Sequence, residues 1–250
     1  MQKEMSSINR EIWNQDRYQA WLDRFGSIEQ EAKRIMDDPR KRIKILADYT
    51  GEVKGKRVLN LLGSNGTKAI SIALMGASEV TVVDIAPENA RFGMDLAKAC
   101  NVEITYIVSD VMDVKVEELG QFDLIFIEMG VLHYIYNIEE LFRIVNSLLC
   151  NGGRFVLREY HPVIWKLLKA VDGQYIASGN YFEQEVIGDD MKLRRWTLGE
   201  VITSIVNAKL TINALYEESG EIQRWIFKDF PKGTEDRIPG IYAVTATKEL

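Results

Sequence analysis

Residues Arg57 to Asp84, RVLNLLGSNGTKAISIALMGASEVTVVD, constrain the fold more than any other part of the chain. An apolar run (Val58, Leu59, Leu61, Leu62) stops at Gly63-Ser64-Asn65-Gly66, a composition that neither a strand nor a helix continues through. Ala69, Ile70, Ala73 and Leu74 then recur at helical spacing, and Gly76 stands where such a helix would be capped. Val80 to Val83 make a second β-branched run, which ends in Asp84. Two parallel strands joined by a crossover helix bring the glycine loop and the carboxylate to one sheet edge. Open α/β sheets bind ligands at that edge, and a carboxylate there suits a ribose diol. The segment predicts a site for a nucleoside-containing cofactor.

The loop narrows the choice of cofactor. A nicotinamide site would carry G-x-G-x-x-G to cradle a pyrophosphate, and this loop offers only Gly63 and Gly66. Four further landmarks follow in order. A helix from about Pro87 to Cys100 opens with Pro87-Glu88, residues suited to a first turn. Ile104 to Val108 reads as a strand with Ser109-Asp110 at its end, and Phe122 to Ile127 as a fourth strand leading into Glu128-Met129-Gly130-Val131-Leu132-His133-Tyr134. Leu148 to Leu157 then reads as a helix end, a Gly152-Gly153 turn and a fifth strand.

Together these landmarks, over about residues 55 to 160, resemble the core of the class I S-adenosylmethionine-dependent methyltransferases. The glycine loop resembles the family's motif I, an acidic residue followed by G-x-G-x-G. Asn60 takes the acidic place, and Leu62, Ser64 and Gly66 take the three glycine places. The resemblance implies an α/β, Rossmann-like seven-stranded sheet with helices on both faces and a final antiparallel strand. It implies S-adenosyl-L-methionine as cofactor and S-adenosyl-L-homocysteine as product. Asn60, Leu62, Gly63, Ser64, Asn65 and Gly66 would then surround the methionine part, Asp84 and Ile85 the ribose, and Ser109, Asp110 and Val111 the adenine. Glu128 and Met129 would lie where the family's motif IV passes under the sulfur. Blander roles exist for each: Asp84 could cap a helix, Asp110 could belong to a turn, and Glu128 could be a strand-end charge.

Composition fits a cytoplasmic enzyme, and the resemblance implies one that acts on a small molecule. A chain of 250 residues can form one domain with elaborations. No signal-peptide pattern opens it, and no apolar run approaches the ~20 residues of a membrane span. The net charge of −6 argues against broad nucleic-acid binding. The basic clusters at Lys33, Arg34, Arg40, Lys41, Arg42 and Lys44, and at Lys192, Arg194 and Arg195, read as solvated faces. Cys100 and Cys150 read as reduced core thiols, and no cluster has metal-ligand spacing.

Outside the 51–160 core, residues 1–50 read as a helical cap, 161–197 as an insertion after the fifth strand, and 198–250 as a helix and the final strands. Trp13 and Tyr18 are the cap's candidates for a lid over substrate, against ordinary packing. The insertion begins Tyr160-His161-Pro162, continues as a helix through Ile164 to Leu168, and then becomes aromatic and turn-rich; it could also serve a homodimer contact. Thr197 and Glu200 have capping-box spacing. His133 and His161 are the candidate catalytic bases, since both follow strands expected to end at the cofactor edge, with a loop-bonding histidine as the alternative for each. Tyr134 and Tyr160 are candidate substrate contacts. Two other classes fit less well: a non-catalytic binding protein on the same fold, and a nicotinamide oxidoreductase.

Overall fold

The computed structural model describes residues 1–249. Strands β1 (Arg57–Leu61), β2 (Glu79–Asp84), β3 (Thr105–Val108), β4 (Phe122–Glu128) and β5 (Leu149–Tyr160) are parallel. Two two-stranded hairpins follow, β6 (Leu168–Val171) with β7 (Gln174–Ala177) and β8 (Val186–Ile187) with β9 (Leu193–Arg194). Strands β10 (Leu210–Glu217) and β11 (Ile241–Lys248) complete a seven-stranded sheet in the order β10-β11-β5-β4-β1-β2-β3, with β11 antiparallel to both neighbours. The order reverses between β1 and β4, so a crevice opens at the C-terminal ends of these strands.

Alternation along the strands explains the two helical layers. Leu59, Leu61, Ile125, Ile127, Phe155 and Leu157 point into one core, and Val58, Val82, Leu124, Phe126 and Val156 into the other. Cap helices α1 (Gln2–Trp13), α2 (Arg17–Phe25), α3 (Ile28–Asp37), α4 (Pro39–Ile43) and α5 (Leu46–Thr50) precede the sheet. Helices α6 (Thr67–Leu74) and α7 (Pro87–Ala99) cover the second face, where Trp21 and Phe25 of α2 pack on Phe92. The first face is covered by α8 (Val116–Leu119), α9 (Ile138–Leu148) and α10 (Leu198–Asn207). Thr197 and Glu200 form the expected capping box on α10. None of the described helices is long and apolar enough to cross a membrane.

Two local expectations need correction. Gly152-Gly153 is a bulge inside β5 rather than a turn before it: Phe122 faces Leu149, and two residues later Leu124 faces Arg154. The helix expected through Leu168 is a single wide turn, Val163–Leu167, after which the chain extends into β6. Asp172 (φ +48°) and Gly173 (φ +71°) join β6 to β7, the Asp-Gly pairing that a two-residue hairpin loop favours because both central residues need positive φ.

Candidate active site

The glycine loop is held from both sides. Gly63 N–H donates to the Val83 carbonyl (3.1 Å), and the Ser64 N–H donates to Asp84 Oδ2 (2.9 Å). The positions matching the family's three glycines, Leu62 (φ +53°), Ser64 (φ +49°) and Gly66 (φ +71°), all adopt the left-handed backbone conformation. The loop therefore keeps its shape although two of these residues carry a Cβ. Gly63 is needed for close approach: a Cβ there would lie 2.5 Å from Val82 Cγ1 and 2.8 Å from Asn60 Oδ1.

This loop, the ends of β2 and β4, and the cap enclose a cavity of about 600 Å³. Asp84 is buried at its edge, where Oδ1 accepts from the Ala86 N–H and from Asn89 Nδ2, both at 3.0 Å. Burial pushes the Asp84 pKa up, while the hydrogen bonds from Asn89, Ala86 and Ser64 pull against that rise. Three bonds leave a carboxylate about one acceptor direction free. Asp110 also lines the cavity; its Oδ1 caps the short turn Val111–Asp113 by accepting from Met112 N–H (3.0 Å). Asn60, Leu62, Asn65, Ile85, Val111, Glu128 and Met129 line the same space. Ser109 and Gly66 do not: Ser109 Oγ donates to the Asp110 carbonyl, and Gly66 caps α6.

The opposite end of the cavity is aromatic. Trp13 meets Tyr134 edge-on at 5.8 Å, Tyr160 lies 5.0 Å from Trp165, and Trp225 lies 5.9 Å from Tyr160. His133 sits between Tyr134 (4.2 Å) and Trp165 (5.2 Å), with no side-chain hydrogen bond among the described residues. Burial, aided by the Arg195 charge, lowers its pKa to about 4, so the imidazole is neutral at neutral pH. The backbone that presents His133 is fixed by Glu159, whose carboxylate accepts N–H groups of Gly130 (2.6 Å), Val131 (2.8 Å) and Leu132 (3.0 Å).

A roof closes this end. Ser6, Asn9 and Trp13 share one face of α1 and look into the cavity. Asn9 exchanges two hydrogen bonds with the Lys192 backbone, each 2.8 Å, which pins α1 to the β8–β9 hairpin.

Two further expected site residues stand outside the cavity. Tyr18 belongs to α2, where its hydroxyl donates to Asp95 Oδ2 (2.7 Å) and its ring packs on Phe92, so it joins cap to core. His161 follows Tyr160 at the strand end, and alternation turns it away from the cavity that Tyr160 faces. Its Nδ1 accepts from the Val163 N–H (3.2 Å) and its Nε2 lies 3.0 Å from Glu217 Oε1, which makes it a loop-bonding histidine. The basic clusters are also not uniformly solvated: Arg42 lines the cavity, and Arg194 and Arg195 stack on Trp196 (3.8 Å) and Trp165 (5.1 Å). Sequence reasoning missed Trp165 and Trp225, which reach the site from distant segments, and Lys68, in the first turn of α6.

A switch-point crevice with a buried carboxylate at its edge suits a nucleoside cofactor, and comparison with known proteins narrows the class. Residues 61–157 match the family described as Methyltransferase domain. A ubiquinone biosynthesis O-methyltransferase from Xanthomonas euvesicatoria is 30% identical over 170 residues, which span 64% of this chain and 69% of that protein. An S-adenosylmethionine-dependent methyltransferase structure from Mesorhizobium loti superposes with a TM-score of 0.67 at 21% identity, covering 89% of this chain and 98% of that one. Magnesium protoporphyrin IX methyltransferase from Synechocystis, solved with S-adenosylhomocysteine bound, superposes with a TM-score of 0.62 at 14% identity, over 98% of this chain and 100% of that one. The chain belongs to the class I S-adenosylmethionine-dependent methyltransferases, and S-adenosyl-L-methionine is its cofactor. The cavity suits that molecule: Asp84 retains acceptor capacity toward a diol, and Asn60 Oδ1 is a buried acceptor with no protein partner.

Proposed function

We propose that this enzyme methylates a hydroxyl oxygen on a planar aromatic small molecule. The observation that carries the reading is His133, neutral and without a protein hydrogen bond, on the aromatic wall of the cavity that the glycine loop and Asp84 also line. S-adenosyl-L-methionine would supply a methyl group from a positively charged sulfur, which takes the C–S bond pair and leaves as the neutral thioether of S-adenosyl-L-homocysteine. Asp84 and Ile85 would hold the ribose, with Asp84 accepting from its hydroxyls, Asp110 and Val111 would hold the adenine, with Asp110 accepting from its amino group, and the Asn60 to Asn65 segment with Met129 would hold the methionine part. Trp13, Tyr134, Tyr160 and Trp165 grip the acceptor's flat faces. Holding an oxygen and a methyl carbon close and collinear contributes roughly 7–11 kcal/mol in well-oriented systems.

His133 accepts the hydrogen bond of the acceptor hydroxyl and takes its proton as the oxygen reacts. A base held this weak suits a hydroxyl that already gives up its proton readily, such as a phenol with electron-withdrawing neighbours. A cationic amine fits less well, because Arg17 lies 4.3 Å over the Trp13 ring and Arg195 5.1 Å over the Trp165 ring. The name of the Xanthomonas relative, an O-methyltransferase, agrees with transfer to oxygen. In this reading residues 51–160 bind cofactor, 1–50 and 161–197 enclose the acceptor, and 198–249 complete the sheet and contribute Trp225 to the acceptor end.

The test is a labelled-methyl assay across phenols, amines and thiols. Product labelled on phenol oxygen is expected; label on amines alone would overturn the assignment. In the same assay His133→Ala should lower turnover by roughly 10²–10⁴-fold, the usual span of general-base catalysis, while calorimetry finds S-adenosylhomocysteine affinity within about threefold of wild type. If affinity and turnover fall together, His133 supports the loop and is not the base.

A further inference from the structure

The cofactor end of the cavity holds an ion pair with one fixed and one movable partner. Lys68 Nζ lies 2.6 Å from Glu128 Oε2, and Arg158 Nη1 lies 2.8 Å from Glu128 Oε1. Arg158 is locked from behind by Glu218, which accepts its Nε and Nη2 at 2.6 Å each, and Tyr49 donates to the same carboxylate (3.2 Å). Glu128 is only 8% exposed, while the Lys68 side chain is 33% exposed on a flexible stem. Burial alone would raise the Glu128 pKa, but Lys68 and Arg158 together hold it below the ordinary value, so the group is charged.

Beside this pair stands the position where the family carries an acid and this chain has Asn60. The Asn60 side chain is buried, its Nδ2 makes long bonds to the Leu61 and Phe126 carbonyls (3.3 and 3.4 Å), and its Oδ1 has no partner. Two acceptors on the neighbouring strands β1 and β4 thus border one end of the cavity, one neutral and orphaned, the other charged and covered by an exchangeable lysine. Arg42 reaches the same end from α4, with Nη2 3.4 Å from Thr67 Oγ1.

We propose that Glu128 and Lys68 form a zwitterion clamp for the cofactor's amino-acid end. Glu128 takes the α-ammonium, with Asn60 Oδ1 as a second acceptor. Lys68, released from Glu128, turns to the α-carboxylate, while Arg42 stays paired with Glu31 (Nη2–Oε1 3.2 Å) at the same end. Charge stays balanced, because one internal ion pair is exchanged for two external ones around a ligand group of no net charge. Before binding, the internal pair keeps the buried carboxylate from standing uncompensated. Glu128 thereby does the work of the acid that Asn60 replaces. The proposal rests on the cofactor and is independent of the acceptor.

The experiment is calorimetric titration with S-adenosylhomocysteine, with its analogue bearing hydrogen in place of the α-amino group, and with 5′-methylthioadenosine, which lacks the amino-acid end. Wild type is expected to bind S-adenosylhomocysteine about tenfold or more tightly than the deaminated analogue, in keeping with one charged hydrogen bond. Glu128→Gln should shrink that ratio below about threefold and leave 5′-methylthioadenosine within about twofold of wild type. Lys68→Met should weaken S-adenosylhomocysteine about tenfold but not its α-carboxamide analogue. An unchanged ratio in Glu128→Gln overturns the clamp. Should Glu128→Gln lose 5′-methylthioadenosine as well, the cleft itself has changed and Lys68→Met decides: equal weakening of 5′-methylthioadenosine and S-adenosylhomocysteine there rejects the proposal.

Discussion

At Leu62, Ser64 and Gly66 the backbone takes a conformation that costs an L-residue roughly 1–2 kcal/mol when a Cβ is present. The two substituted positions should respond differently to restored glycine. Leu62 packs against the main core, so its removal forfeits contacts that offset the relief of strain. Ser64 makes no side-chain hydrogen bond among the described residues, and only its backbone is engaged, through its N–H to Asp84 and its carbonyl to the Tyr106 hydroxyl. Ser64→Gly is therefore expected to stabilise the protein by about 0.5–1 kcal/mol, after the entropy that glycine adds to the unfolded chain. Calorimetry should find Tm higher by about 2–3 °C, and a fall in Tm would show that the serine side chain contributes more than its strain costs. The loop was legible because glycine marks it even when incomplete. What the residues alone did not reveal is that Leu62 and Ser64 follow the glycine path.

Among the elements, the core strands were readable because each is a local apolar run closed by a polar residue: Asp84, Asp110 and Glu128 all mark strand ends that open on the cleft. The roof was not. Tyr18 lies five residues after Trp13, but the chain breaks at Asp16 (φ +48°) and α2 runs against α7, so only Trp13 looks inward. The hairpin after Leu167 was masked by Ile164 to Leu168, whose apolar density mimics a helix until Asp172-Gly173 is weighed. Helix α1 is held over the cleft by Asn9 and by Gln2, whose Oε1 accepts from the Tyr136 and Asn137 N–H groups (2.6 and 3.2 Å), and each of the two bonds Asn9 makes is worth about 0.5–1.5 kcal/mol net. Asn9→Ala should therefore raise the acceptor KM about five- to tenfold, by lowering the closed population, and leave S-adenosylhomocysteine affinity unchanged. Steady-state kinetics beside calorimetry separate these effects; equal losses in both would mean that α1 supports the cofactor site too.

For the whole molecule, acid stability is a sum of opposing groups. His133 has its pKa lowered to about 4, so it favours the folded state above the ordinary histidine value near 6.5, and that contribution is lost as pH falls through about 4. Buried Asp84 and Glu159, with raised pKa values, work the other way and favour the folded state more as pH falls. Subtracting a variant isolates the histidine. Between pH 7.5 and 4, wild type should lose up to about 3 kcal/mol more unfolding free energy than His133→Gln in urea titrations. Parallel pH profiles would mean that solvent reaches the imidazole in the folded protein. The Asn9–Lys192 latch has a consequence of a different kind, because its partners are 183 residues apart in the chain. Ring closure over that distance becomes entropically cheap only after the intervening sheet has folded. The nascent chain thus completes a cofactor-binding half before the proposed acceptor chamber has a ceiling, and cofactor arriving in that interval would stabilise a protein whose roof is still open.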